Sequence, residues 1–281
     1  MPELPEVEHI RRRLSDRILG LEITRVLVKR ADVIRLPVPV KARSKALLRN
    51  SRVKMLHRHG KRLALEVDDG RVVEFGLGMS GALLLEQVPS IPAATTHRHV
   101  IWNLQDPRGA QPMRLVWRDP RRFGGLRPLG SMSELHARFW SKIGPDALEI
   151  DEKTLARNLS GTKRVIKTVL LDQRVLAGVG NIYADEVLHA AGLSPIRRAD
   201  SLERAEVKAV LRFLRRILVQ AIEDGGSTIR DHQDPDGLPG GFQARHAVYG
   251  RPGGSCKRCG AMIHSEQLGG RTTHWCSGCQ K

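Results

Sequence analysis

The sequence contains no run of 18 apolar residues, which excludes a membrane-spanning helix. Its start is acidic and proline-bearing and lacks an apolar h-region, so no secretory signal is expected. No internal repeat is evident, which argues against a repeat array. Cysteine is absent before Cys256. Acidic residues are in deficit: 30 Asp and Glu stand against 47 Lys and Arg, a formal net charge of +17. A basic surface can be merely solvated, but an excess of this size points to a polyanionic partner. Nucleic acid fits better than an anionic membrane surface, because the basic residues lie along the whole chain. With 281 residues the chain has room for two domains and a small third module.

What the chain does have at its C-terminus is a cysteine cluster. Cys256-x2-Cys259 and Cys276-x2-Cys279 are separated by 16 residues. Two such knuckles fit a tetrahedral zinc ion held by four thiolates. Two disulfides are the alternative, disfavoured in a reducing cytosol, which is where the chain is expected to work. With four cysteine ligands there is no open coordination position, so one Zn2+ would be structural.

Hydrophobic periodicity divides the rest. Val7, Ile10, Leu14 and Ile18 follow helical spacing behind Pro5, and Gly20 suits a stop. From Leu21 to about Pro128 the pattern changes to short strands, at Ile23–Val28, Arg52–His57, Leu63–Val67, Arg71–Phe75, Ala82–Leu85, His99–Leu104 and Met113–Trp117. Asp68-Asp69-Gly70 reads as a hairpin turn between two of them. So many short strands suggest a β-sandwich. From Ser133 the segments become helical, at 133–142, 151–159, 165–171, 181–191 and 201–223, with Gly225-Gly226 closing the last. The stretch Gln233–Phe242 reads as a mobile loop. The fold expected is α+β: a sandwich domain over residues 1–130, a helical domain over 131–226, a loop and linker over 227–246, and a zinc finger over 247–281.

The first eight residues, Met1-Pro-Glu-Leu-Pro-Glu-Val-Glu8, carry the most specific chemistry. Once Met1 is removed, Pro2 is a free secondary amine, able to attack an electrophilic carbon and form a fixed iminium. Glu3 is a carboxyl group placed to shuttle protons for the same reaction. While Met1 remains, Pro2 nitrogen is a tertiary amide and no nucleophile. The bland alternative is that Pro2 and Pro5 merely stiffen a helix start.

This opening closely resembles that of the formamidopyrimidine-DNA glycosylase/endonuclease VIII family, and the resemblance recurs at five further motifs between Lys61 and Cys279. It implies a bifunctional glycosylase/AP lyase of base excision repair that acts as a monomer on damaged double-stranded DNA in the bacterial cytoplasm, at the nucleoid. Pro2 and Glu3 would be catalytic, with Glu6 orienting them. Lys61, in His57-Arg-His-Gly-Lys-Arg62, matches the family's catalytic lysine, and Arg271, in Gly269-Gly-Arg-Thr-Thr273, its zinc-hairpin arginine. Each is otherwise one more solvated cation. Leu77-Gly-Met-Ser-Gly81 and Asp119-Pro-Arg-Arg-Phe-Gly124 are loop signals. An enzyme that withdraws a base must fill the hole left in the stack. Met79, Arg121 and Phe123 match the family's intercalating set, while burial in the core is the commoner fate of Met and Phe. His97 matches a DNA-contacting histidine; His99 is a weaker candidate. Lys163 and Lys167 would hold phosphate, and Asn181 matches a phosphate-binding asparagine at a glycine-rich helix start, Leu176–Glu186. That motif, with Lys163–Lys167 before it, resembles the family's helix-two-turns-helix. Glu186 would be structural, and His264 and His274 ordinary polar residues.

One departure concerns the loop around Asp236-Gly237, where Leu238 and Gly241 replace a lysine and an aromatic usual in formamidopyrimidine glycosylases. It leaves open whether oxidised purines such as 8-oxoguanine and formamidopyrimidines, or oxidised pyrimidines, are preferred. The intact wedge set favours the formamidopyrimidine branch. A non-catalytic damaged-DNA binder on the same scaffold is the rival from another class. It would need neither Pro2 nor Glu3.

Overall fold

Leu4 and Pro5 open the first helix, α1 (Leu4–Ile18), where proline's missing N–H costs nothing and its fixed φ suits the turn. Leu4, Val7, Ile10, Leu14 and Ile18 form its buried stripe, and Gly20, with a φ of 81°, lets the chain turn away. The computed structural model describes residues 2–89, 96–230 and 232–281. These fall into two units, the first comprising 1–141 with 224–241 and the second 142–223 with 242–281.

In the first unit two four-stranded antiparallel sheets face each other across one core. The strands are β1 (Glu22–Val28), β2 (Val53–His59), β3 (Arg62–Val67), β4 (Val72–Gly76), β5 (Ala82–Gln87), β6 (Arg98–Gln105), β7 (Met113–Arg118) and β8 (Gly125–Leu129). One sheet runs β1-β6-β7-β5 and the other β2-β3-β4-β8. Phe75 of the second sheet meets Trp102 and Trp117 of the first, with ring centroids 5.8 and 6.0 Å apart. Buried aromatic contacts of this kind add specific geometry to the area they bury. The short helices α2 (Arg43–Ala46) and α3 (Met132–Arg138) also belong to this unit. The anticipated strands all form. β8 was not anticipated, because Gly124-Gly125 and Pro128 mask it; as an edge strand it can carry proline without losing an inner ladder bond.

The second unit holds α4 (Glu152–Ser160), α5 (Ile166–Leu171), α6 (Asn181–Ala191) and α7 (Arg204–Glu223), followed by the hairpin β9 (Ile263–Leu268) and β10 (Arg271–Cys276). The wide apolar face of α7 buries Val207, Val210, Leu211, Leu214, Leu218, Ala221 and Ile222. Among the described residues no helix is long and apolar enough to cross a membrane.

The two units divide after Ser141 and Glu223, and segment 224–241 belongs with the sandwich. The reason is a set of tertiary ties that no local pattern announces. Asp236 pairs with Arg13 and Arg17 of α1, and the carbonyl of Pro235 accepts from Leu85 N at 2.7 Å on the free edge of β5. Asp234 braces the turn from within, taking Asp236 N at 2.9 Å and Leu238 N at 2.8 Å. The stretch read as a mobile loop is thus held at several points.

Candidate functional site

The start of α1 is locked by a reciprocal cap. The Glu3 carboxylate accepts the Glu6 backbone N–H, and Glu6 Oε2 accepts Glu3 N at 2.7 Å. Such a box satisfies two otherwise orphaned donors, and a carboxylate there is favoured by the helix dipole. Pro2 and Glu3 are both buried. The other oxygen of Glu6 accepts Ser227 N at 2.7 Å. That bond depends on Gly226: its φ is +79°, and a Cβ would sit 2.5 Å from Glu6 Oε1. Met1, whose removal the chemistry of Pro2 requires, lies outside the described residues.

Glu8 is a residue that the motif reading passed over. It is 5% exposed and binds Arg58 Nε at 3.0 Å, Arg11 Nε at 2.9 Å and Arg12 Nε at 2.8 Å. Burial alone would raise its pKa, but the hydrogen bonds and charges of these three guanidinium groups outweigh it and bring Glu8 down to about 2. Arg58 in turn donates to the Gly60 carbonyl at 3.1 Å. The chain Glu8–Arg58–Gly60 therefore ties α1 to the turn between β2 and β3 that presents the half-buried Lys61. A Glu at i with two Arg at i+3 and i+4 was the available signal; the link to Arg58 exists only in the fold.

The two glycine loops meet backbone to backbone. A Cβ on Gly78 would lie 2.6 Å from Gly124 N, and one on Gly124 would lie 2.6 Å from Gly76 O. Asp119, fully buried, joins them: it accepts Ser80 Oγ at 2.6 Å and Gly124 N at 2.8 Å, and Ser80 Oγ accepts Arg121 N at 3.2 Å. His99 is buried beneath, its Nε2 2.8 Å from the Asp119 carbonyl. Met79 is 37% and Phe123 55% exposed, so core burial is not their fate. The Arg121 guanidinium lies 4.8 Å from the Phe123 ring centroid, a cation–π distance. Met79, Arg121 and Phe123 thus project from one rigid double loop. His97 is exposed, with a φ of 60°.

In the second unit Lys163 is exposed at the approach to α5. Asn181 begins α6 after Gly178 (φ 110°), and its Nδ2 donates to the Thr272 carbonyl at 2.7 Å. Thr272 follows Arg271, which is exposed at the start of β10 beside the Gly269-Gly270 turn. Lys163, Asn181 and Arg271 are therefore gathered around one helix start and one hairpin tip. Lys167 is a correction. It is completely buried, with Nζ 2.5 Å from Asp185 Oδ1, which is also inaccessible to solvent. A phosphate contact would need that pair broken, and a buried charge left unpaired is costly. The other oxygen of Asp185 accepts His274 N at 2.9 Å, so His274 is part of the framework. Glu186 accepts three successive amides, Ala247, Val248 and Tyr249, at 2.8, 3.0 and 2.8 Å, the structural role anticipated.

The four cysteine Sγ atoms lie within 4.8 Å of one another. Cys256 and Cys279 are 3.8 Å apart and Cys259 and Cys276 3.4 Å. Tetrahedral zinc–thiolate bonds of about 2.3 Å require sulfurs roughly 3.7 Å apart, so the donor set fits one zinc ion. Burial would raise the Cys256 thiol, but the amides of Arg258 and Cys259 and the ring of His189 outweigh it and lower it to about 5. His189 Nε2 stands 3.5 Å from Cys256 Sγ. Burial and the neighbouring sulfurs push Cys279 up to about 12, a conflict that a bound dication removes.

Three family profiles match the chain: the formamidopyrimidine-DNA glycosylase N-terminal domain over residues 1–126, the formamidopyrimidine-DNA glycosylase H2TH domain over 143–233, and a zinc finger found in FPG and IleRS over 253–281. The formamidopyrimidine-DNA glycosylases of Thermus thermophilus and Xanthomonas euvesicatoria pv. vesicatoria are both 39% identical to it over 284 residues, covering 100% of this chain and 98% and 100% of theirs. The crystal structure of the MutM (Fpg) protein from Thermus thermophilus superposes with a TM-score of 0.84 at 39% identity, covering 99% of this chain and 98% of that one. A Lactococcus lactis Fpg in complex with abasic-site DNA gives 0.87 at 32% identity, covering 99% of each chain. With every segment of the sequence and both units of the fold accounted for in this way, the chain belongs to the formamidopyrimidine-DNA glycosylase family.

Proposed function

We propose that the protein is a bifunctional DNA glycosylase/AP lyase of base excision repair, working as a monomer on damaged duplex DNA in the cytosol. The observation that carries this reading is the start of α1, where Glu3 and Glu6 cap each other directly behind Pro2. Support comes also from the Lactococcus lactis relatives, solved with Fapy-dG-containing and abasic-site DNA.

In the reaction Pro2 nitrogen, freed of Met1, attacks C1′ of the sugar as the bond from C1′ to the base breaks. The base leaves with the bonding pair and takes up a proton. Glu3, in its protonated form, gives a proton to the ring oxygen, so that the sugar opens and the C1′–nitrogen bond becomes an iminium. The iminium acidifies C2′, whose proton is lost as the 3′ phosphate departs; a second elimination releases the 5′ phosphate. Lys61 and Arg271 assist by proton transfer and by neutralising phosphate charge. Met79, Arg121 and Phe123 fill the space left by the withdrawn base, while Lys163 and Asn181 hold phosphates. The zinc ion, when bound, supplies no chemistry and keeps Arg271 at the hairpin tip. Oxidised purines are the substrate class favoured by the intact wedge set, and Leu238, exposed on the segment that differs from the family pattern, makes oxidised pyrimidines the second class to test.

The nucleophile is tested by borohydride trapping on duplexes bearing 8-oxoguanine, a formamidopyrimidine, an oxidised pyrimidine or an abasic site. The mature chain gives a covalent adduct. A chain that retains Met1, or carries an uncleaved N-terminal tag, folds and binds lesion DNA but gives none. Normal trapping by the blocked chain would transfer the role to Lys61 and remove it from Pro2.

A further inference from the structure

Arg121 and Phe123 of the wedge loop are separated by Arg122, whose φ is 56°. Left-handed backbone is uncommon for a residue with a side chain, and it persists only where neighbours over-determine it. What holds Arg122 comes from a segment that none of the steps above uses. Asp32 Oδ2 accepts from Arg122 Nη1 at 2.7 Å, and Arg35 Nη2 donates to the Arg122 carbonyl at 2.9 Å. The same Arg35 nitrogen donates to the Gly124 carbonyl. Arg35 passes over Gly125 to do so, and a Cβ at that glycine would collide with its side chain.

The segment 29–35 is itself anchored to both sheets of the sandwich. Lys29 N and Arg30 N donate to the His99 carbonyl of β6 at 2.8 and 3.2 Å. Ile34 bridges to Leu126 of β8, where Arg35 N donates to the Leu126 carbonyl and Leu126 N to the Val33 carbonyl, both at 2.8 Å. Hydrogen bonds from Arg30 and then Arg122 bring the Asp32 carboxyl down to about 2, so it is charged at neutral pH. The strap therefore grips the residue between two wedge side chains by both its carbonyl and its guanidinium. Asp119 braces the loop from within, and Asp32 and Arg35 brace it from the far side of Gly125.

We propose that Asp32 and Arg35 are positioning residues for base withdrawal, holding Arg122 in its left-handed turn before DNA arrives so that Arg121 and Phe123 enter the stack already ordered. The inference rests on the glycosylase reading above. A loop ordered in advance does not have to be ordered during insertion, which lowers the cost of that step. Neither residue has to touch DNA for this. Their effect reaches the reaction through Arg121 and Phe123, so it is felt where a base must leave the stack and less where none is present.

The test compares the full-length mature protein with Arg35→Ala and Asp32→Asn on lesion and abasic-site duplexes that carry 2-aminopurine beside the damaged position, where its fluorescence rises as the stack opens. For Arg35→Ala, the rate of that rise and the excision rate should both fall by about tenfold, as expected for two lost bonds from a charged donor. Abasic-site cleavage should stay within about threefold. Asp32→Asn removes only the exposed pair with Arg122 and should act in the same direction by about twofold. Discrimination by the opposite base should weaken in Arg35→Ala, and in an Arg121→Ala background the same change should weaken it no further, because the two act through one loop. An unchanged fluorescence rate in Arg35→Ala, equal losses on lesion and abasic duplexes, or a loss of discrimination that adds to that of Arg121→Ala overturns the proposal. Failure of the wild type itself to excise any base or to trap on abasic DNA would instead overturn the glycosylase reading.

Discussion

The two units hold their functional groups by opposite means. In the first, the groups that act are carried on a sandwich with a large apolar core, spanning residues from Val7 to Leu126. Their supports are short polar links laid over that core: the Glu3–Glu6 cap, the Glu8–Arg58 chain and Asp119 under the double loop. In the second, the finger buries little that is apolar, its cluster being Val248, Cys256, Ile263 and Cys276. What holds it are thiolates and the consecutive carboxylates Asp185 and Glu186 of α6. A small module without a core needs a staple, whereas a site resting on a core can spend its polar residues on placing groups. Loss of a support should therefore unfold the finger but only displace the sandwich site.

Metal removal should break this symmetry most. Zinc contributes about 10–16 kcal/mol to small modules of this type, so chelation should melt residues 256–279 and cut DNA affinity. The near-ultraviolet signals of Trp102 and Trp117 in the sandwich should persist. Metal analysis showing no zinc, together with unchanged binding after chelation, would defeat the assignment. Next comes Asp185→Ala, which takes the carboxylate away from the buried Lys167 and frees the amide of His274; a destabilisation of about 3–5 kcal/mol is expected, read from denaturant unfolding of the second unit. Asp185→Ala with Lys167→Met should recover much of it, and no recovery would mean that the ion pair is not the cause.

Glu8 gives the corresponding figure for the first unit. Its folded pKa, about 2, lies below the unfolded value of 4.5. The carboxylate therefore stabilises the fold fully above about pH 4.5, and that contribution is lost as pH falls from there toward 2. The difference corresponds to roughly 3 kcal/mol. Glu8→Gln should flatten the acid limb of an unfolding profile over that window and lower strand cleavage through Lys61 while DNA binding holds. The smallest effect expected is at Arg121. Arg121→Ala should cost roughly 1–3 kcal/mol of discrimination by the base opposite the lesion, measured as excision rates across four opposite bases, with abasic-site cleavage less affected. Equal losses on all four would make Arg121 a phosphate contact.

What was legible in the sequence was chemistry that stays within a few residues. The proline–glutamate start, the two CxxC knuckles, the glycine loops, the hairpin at Asp68-Asp69-Gly70 and the long apolar face of α7 are all set by local spacing, and local spacing survives folding unchanged. Exposure and partnership are not local. Lys167 and Lys163 read alike as phosphate-holding cations, yet only the packing of α5 against α6 and β10 puts Asp185 beside one and solvent beside the other. Glu8 and Asp119 stand inside quoted motifs, yet the motifs give them no role; each acquires one from an atom more than a dozen residues away, Glu8 from Arg58 and Asp119 from Ser80. Segment 224–241 reads as a loop and is one, but its attachment to α1 and to the edge of β5 is decided by Arg13, Arg17 and Leu85, which no pattern in the segment itself names. The sequence by itself determined which chemical groups the protein possesses; the tertiary structure decided which are buried, which are paired and which are left to act, because burial and charge pairing depend on neighbours that only the folded chain brings together.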